Sequence, residues 1–147
     1  MISAKTKTAE ALFPLLSVFH ELSGLTLKKV GRGLIEDELV ELEFDFESKV
    51  FLVRANGEDD TVDFWSVDAA KHKLSENYVG GNFPWETHVG KKFGWGWAVV
   101  NQQGYLDGIL LSFEGITPQL LILVVASSLK VSLIEPPINQ GLIRGRS

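Results

Sequence analysis

The stretch ELVELEFDFESKVFLVRANG, residues 38–57, constrains the fold more than any other part of this chain. In it Val40, Leu42, Phe44 and Phe46 alternate with Glu41, Glu43, Asp45 and Glu47, the two-residue period of a strand with one buried face. A tight turn at Glu47 and Ser48 brings the chain straight back. Phe44 then lies opposite Phe51, Leu42 opposite Val53 and Val40 opposite Ala55, so the apolar faces match. On the outer side Glu41 meets Arg54, a cross-strand pair contributing roughly 0.2–1 kcal/mol.

The neighbouring segments extend this hairpin. Asn56-Gly57 supplies the positive φ angles of a type I′ turn, Glu58, Asp59 and Asp60 lengthen the loop, and TVDFWSV follows as a further strand. Upstream, residues 8–22 read as an amphipathic helix, with Ala9, Leu12, Phe13, Leu16 and Phe19 recurring at three- and four-residue steps. Gly24 can end it in the left-handed conformation. Pro14 falls in the second turn and lacks an N–H, so the helix is expected to start later or to kink.

Residues 67–92 show no sustained period beyond a short helix expected over 68–74. From Phe93 the alternation resumes, with Phe93, Trp95, Trp97 and Val99 on one face and Gly94, Gly96 and Ala98 on the other. So bare a face asks for the close approach of another element, and the amphipathic helix is the nearest candidate. NQQG turns the chain at Gly104, and YLDGILLSF returns antiparallel. QLLILVVASSLKVSLIE reads as one central strand with a bend at Ser127-Ser128, and Pro136-Pro137 stops it, leaving 136–147 as a loose tail.

The expected fold is α+β, a single domain over residues 1–147. An antiparallel meander sheet of six or seven strands carries the amino-terminal helix on one face, and a partly closed β-barrel is the alternative. Its core is expected to gather Leu12, Phe13, Leu16, Phe19, Phe44, Phe46, Phe51, Val53, Leu121 and Leu123.

Composition enters through charge. Between Glu36 and Asp63 eleven acids stand against Lys49 and Arg54 alone, so the middle of the chain is strongly acidic and the remainder leans basic. Nucleic acid is therefore not an expected partner, since phosphate binding needs clustered Lys and Arg. The longest apolar run, residues 120–126, falls far short of the ~20 residues of a membrane-spanning helix, and the start of the chain lacks the pattern of a signal peptide. A cytoplasmic protein with no membrane partner is expected. There is no cysteine, which excludes a disulfide framework, thiolate metal sites and cysteine nucleophiles.

The remaining chemistry is sparse. His20, His72 and His88 share no ligand spacing, and Asn56, Asp59, Asp60 and Asp63 lack the order of a calcium loop, so no metal is expected. Ser48, Ser66 and Ser75 stand in no GxSxG setting and no phosphate loop occurs, so no catalytic residue and no cofactor are expected. Two kinds of binding surface remain. One is the acidic stripe Glu41, Glu43 and Asp45, joined by the aromatic loop over 78–88 with Phe83 and Trp85. Such a surface suits a basic protein partner, because complementary charge steers encounter. The loop aromatics have a second reading, as a plug over an open end of the sheet.

The other surface is a polar cluster of Asn101, Gln103, Tyr105 and Asp107 beside Trp95 and Trp85, suited to a small ligand or an enzyme's substrate. It too has a plainer reading, a well-built hairpin turn. The segment FGWGWAVVNQQGYLDG resembles segments of small bacterial proteins of uncharacterised families. The likeness covers under a fifth of the chain and implies a bacterial origin but no activity. The expectation is a non-enzymatic interaction module of the immunity or adaptor type, with the small-ligand binder or enzyme as the alternative.

Overall fold

The computed structural model describes residues 9–73 and 83–134, with side chains from residue 16 onward. The expected tail over 136–147, the loop residues 74–82 and the side chains of Leu12 and Phe13 lie outside them. The helix α1, Ala9–Leu22, includes its first turn and runs through Pro14, correcting the expected late start. Gly24 ends it at φ 81°, as the sequence requires.

Eight antiparallel strands follow. β1 (Lys29–Ile35), β2 (Glu38–Asp45), β3 (Lys49–Asn56) and β4 (Thr61–Asp68) form one four-stranded meander. β5 (Phe93–Val100), β6 (Leu106–Phe113), β7 (Leu120–Val125) and β8 (Ser128–Leu133) form a second. The single sheet of six or seven strands is thus corrected to two sheets of four, and the barrel is not closed. The sheets pack face to face, β2 against β8 and β4 against β6. The outer strands are covered differently: α1 lies on β5, and a 3₁₀ turn, Pro84–His88, packs on β1 and β8.

The register read from the alternation holds. Phe44 pairs with Phe51, Leu42 with Val53 and Glu41 with Arg54. Phe19, Phe44, Phe46, Phe51 and Val53 share one core with Phe64, Phe93 and Phe113, and Leu16 packs partly buried against it. Phe19 stacks on Phe64 at 5.3 Å and on Phe93 at 6.1 Å between ring centroids, which joins helix and both sheets. Burying an aromatic of this size removes roughly 150–250 Å² of surface from water, so this cluster dominates the packing.

Four expectations are corrected. Residues 120–133 form not one central strand but the β7–β8 hairpin, turned at Ala126 (φ 51°) and Ser127 (φ 70°). In that register Leu120, Ile122 and Val124 face inward, and Leu121 and Leu123 are only half-buried on the outer face. The Asn56-Gly57 turn is a four-residue loop in which Asp60 N donates to Asn56 O at 3.0 Å, and Asp60, not Gly57, adopts positive φ. Finally, a bulge at Gly94 breaks the alternation, turning Phe93 and Gly96 to the core while Trp95 points out. A Cβ at Gly94 would strike the Gly115 carbonyl oxygen, so the bulge needs glycine.

Candidate functional site

The outer face of the first sheet carries the three acids of the stripe, and they have different surroundings. Arg54 Nε donates to Glu41 Oε1 at 2.8 Å, and the guanidinium also lies 5.0 Å over the Trp65 ring. Glu43 is only 3% exposed: the connection leaving β4 folds back over it, and His72 Nε2 lies 2.8 Å from its Oε2. Asp45 Oδ1 accepts from Glu47 N at 3.1 Å and shapes the β2–β3 turn. The stripe is therefore largely engaged within the chain. Asp63, two strands over in the row of Glu41, is buried as well, and burial followed by the charge of Asp59 raises its carboxyl above the usual range.

Further acids gather at the turn end of this sheet. β1 and β2 are joined by Glu36 and Asp37, both left-handed (φ 51° and 69°), a two-residue turn of the type I′ sort without glycine. Beside it lie the Gly57–Asp60 loop and, from the second sheet, the Ala126-Ser127 turn. Ser127 N donates to Asp60 Oδ1 at 2.7 Å and its hydroxyl to Gly57 O at 3.3 Å, tying the two sheets together. Five of the seven non-glycine residues with positive φ lie in these three turns. Left-handed backbone of this kind costs energy and collects at binding sites.

Between the turns opens a cavity of about 470 Å³. Ile35, Val40, Ala55 and Ala126 give it apolar walls, Glu36, Glu38 and Glu41 its carboxylates, with Arg54 held against Glu41. Ile35 is 63% exposed, an apolar side chain open to a partner. Of the residues expected from the sequence only Glu41 belongs here. Ile35, Glu36, Glu38 and Ser127 were missed. The three acids Glu36, Asp37 and Glu38 between Ile35 and Leu39 were a usable signal for the first turn, whereas nothing in Ala-Ser marks the second.

Of the aromatic loop, residues 83–88 take the plug geometry. Trp85 is 2% exposed, and Phe83 stacks on it at 4.9 Å with Arg32 4.5 Å over the outer Phe83 face. His88 stacks on Phe113 at 4.6 Å, and burial followed by Lys91 holds its pKa below the usual imidazole range. Among the described residues, Trp85 Nε1 and both His88 ring nitrogens lack a hydrogen-bond partner.

The polar cluster resolves into a turn. Asn101 Oδ1 accepts from Gln103 N at 2.9 Å and Tyr105 N at 3.2 Å, while its Nδ2 donates to Asp107 Oδ2 at 3.4 Å. Asn101, Gln103, Tyr105 and Asp107 are brought together, but Trp95 is not among them. It sits five residues up β5 from Val100, about 17 Å along a strand, and Trp85 lies on the side of β1 and β8. Trp95 lines a different groove of about 410 Å³, with Leu16, Phe19 and His20 of α1 and Trp97, Ala98 and Val100 of β5.

Among the described residues no helix is long and apolar enough to cross a membrane. No curated protein and no solved structure matches the chain. A family model described as a family of unknown function, DUF6334, matches residues 13–138, which is most of the sequence. The chain belongs to the DUF6334 family.

Proposed function

We propose that this chain is a non-enzymatic interaction module of the immunity or adaptor type, which binds a basic protein partner through the acidic turn end of its first sheet. The observation that carries the reading is the 470 Å³ cavity with apolar walls and carboxylates. Lys and Arg bury their methylene stems on apolar surface and keep the charged head among polar groups. Ile35, Val40 and Ala55 suit such a stem, and Glu36 and Glu38 suit the head. Strained turns tied through Ser127 and Asp60 keep the walls in place before the partner arrives, which lowers the ordering cost of binding. The same reading keeps the protein in the bacterial cytoplasm, where a chain without cysteine is indifferent to the reducing environment.

The alternative, a small-ligand binder or enzyme at Trp95, Tyr105 and Asp107, has less support because Trp95 stands apart from the other two. Calorimetric titration with matched peptides bearing a central Arg, Lys or Glu tests the proposal. The basic peptides are expected to bind, more weakly as salt rises, and Glu36→Gln with Glu38→Gln to lower affinity at least tenfold without moving the melting midpoint. Equal affinity for the acidic peptide, or no loss in the double variant, would sink it.

A further inference from the structure

The described chain leaves β8 at Ile134, and beyond it the sequence carries a basic and apolar run, GLIRGRS at residues 141–147. Leu142 and Ile143 stand directly before Arg144 and Arg146, whereas Lys5 and Lys7 near the start of the sequence stand among Ala4, Thr6 and Thr8. The run lies past residue 138, where the match to the family model stops, so its charges can be altered without altering either sheet. β8 links this exit to the candidate cavity: its first residue, Ser128, lines the cavity, and its last, Leu133, immediately precedes Ile134. The way back from Ile134 to Ser128 is about 20 Å along a strand. Residues 135–144 extend over as much as about 33 Å, so Arg144 reaches the cavity with chain to spare for a reversal.

We propose that residues 142–146 of the chain itself fold back into this cavity, with Ile143 on its apolar walls and Arg144 between Glu36 and Glu38, so that a basic partner must displace them. The inference rests on the reading of the cavity as a site for basic chains and names the chain's own segment as its resting occupant. Charge selects that occupant. Glu41 is already held by Arg54 at 2.8 Å, whereas Glu36 and Glu38 are exposed and form no ion pair among the described residues. An arginine brought to them supplies the counterion, and its stem covers part of Ile35, which is 63% exposed. Tethering favours the chain's own segment over a foreign one. A short linker holds it at an effective concentration on the order of millimolar, so a contact too weak to retain a free peptide is populated within the molecule. A partner's apparent affinity then falls by the fraction of molecules whose cavity is open.

Because the chain has no cysteine, disulfide trapping on the full chain tests the proposal. Ala126→Cys, at an exposed wall of the cavity, is combined with Ile143→Cys, and closure of the intramolecular bond is followed in mild oxidant at low micromolar protein. The control pairs Ile143→Cys with Ile116→Cys. Ile116 is 74% exposed in the turn before β7 and lies close to the exit of the chain, since Ile134 N donates to Gln119 O. Closure to Ala126→Cys is expected to be at least tenfold faster than to Ile116→Cys, and Glu36→Gln with Glu38→Gln to remove that advantage while the melting midpoint holds. Equal rates, an advantage that outlasts the loss of both carboxylates, or links formed only between molecules would each overturn the proposal. In calorimetry with the Arg-bearing peptide, Arg144→Gln with Arg146→Gln is expected to bind at least threefold more tightly than the parent, whereas Lys5→Gln with Lys7→Gln, the same change in net charge, is not. An equal gain for both double variants, or none for either, would also overturn it. A peptide that binds neither the parent nor the arginine variant sinks the partner reading alone, since the disulfide rates report the segment without any partner.

Discussion

Phe19 of α1 lies flat beneath Gly96 of β5, so close that a Cβ at residue 96 would come within 2.6 Å of the ring's Cγ. The helix is seated by the missing side chain. Gly96→Ala is therefore expected to destabilise the fold by about 1–3 kcal/mol through overpacking. Urea titration measures it, and adding Phe19→Leu should recover part of the loss. An unchanged midpoint for Gly96→Ala would show that α1 is not pinned there.

Glu41 and Glu43 are two residues apart on one strand face, yet lysine is expected to cost far more at one than at the other. Glu41→Lys at a partly exposed pair should cost no more than about 1 kcal/mol. Glu43→Lys places a cation under His72 in a site where the carboxylate is 3% exposed, and an uncompensated buried charge costs about 3–5 kcal/mol. Thermal melts of the two single variants separate the engaged acid from the accessible one.

Trp85→Ala should lower stability by about 3–5 kcal/mol, as should Phe44→Ala, both being buried aromatics. Leu121→Ala, on the half-buried outer face of β7, should cost clearly less than either. A Trp85→Ala protein with the parent midpoint in denaturant would reopen the loop as a contact surface.

Acid should weaken the fold through His88. Its folded pKa is held down by burial and by Lys91, so the unfolded chain takes up the proton first as pH falls through the ordinary imidazole range, near ~6.5. The stability associated with neutral His88 is then full above that range and lost below it, with a slope of at most about 1.4 kcal/mol per pH unit. Asp63 runs the other way: its raised folded pKa favours the protonated native form, so its contribution improves as pH falls through that raised value. In denaturant titrations from pH 4 to 8, His88→Phe should flatten the first trend, whereas Asp63→Asn should gain stability at neutral pH and not in acid.

What was legible in the sequence was local. The pairing of Phe44 with Phe51 and Glu41 with Arg54 could be read because both strands alternate cleanly and the turn between them is short. The close approach of a helix to β5 could be read because Gly94, Gly96 and Ala98 leave that face bare. β1 could not, since Gly31 and Gly33 supply no alternation; each sits beneath a β2 acid, Glu43 and Glu41. The β7–β8 hairpin was hidden because its left-handed turn is built from Ala126 and Ser127, which carry no turn signature. The candidate cavity was out of reach for a further reason: its rim is framed by three turns that the fold, not the chain order, sets side by side.

The bond from Ser127 N to Asp60 Oδ1 also has a place in time. Each meander can assemble from hairpins that close loops of a few residues, whereas this bond closes 67, and long closures come late because their entropy must be met before contacts reward it. The two halves should thus form first and dock afterwards, with the Ser127 tie made on the downhill side of the barrier. In stopped-flow experiments Asp60→Ala should then speed unfolding and leave the folding rate nearly untouched, making this small polar contact a determinant of how long the folded molecule lasts.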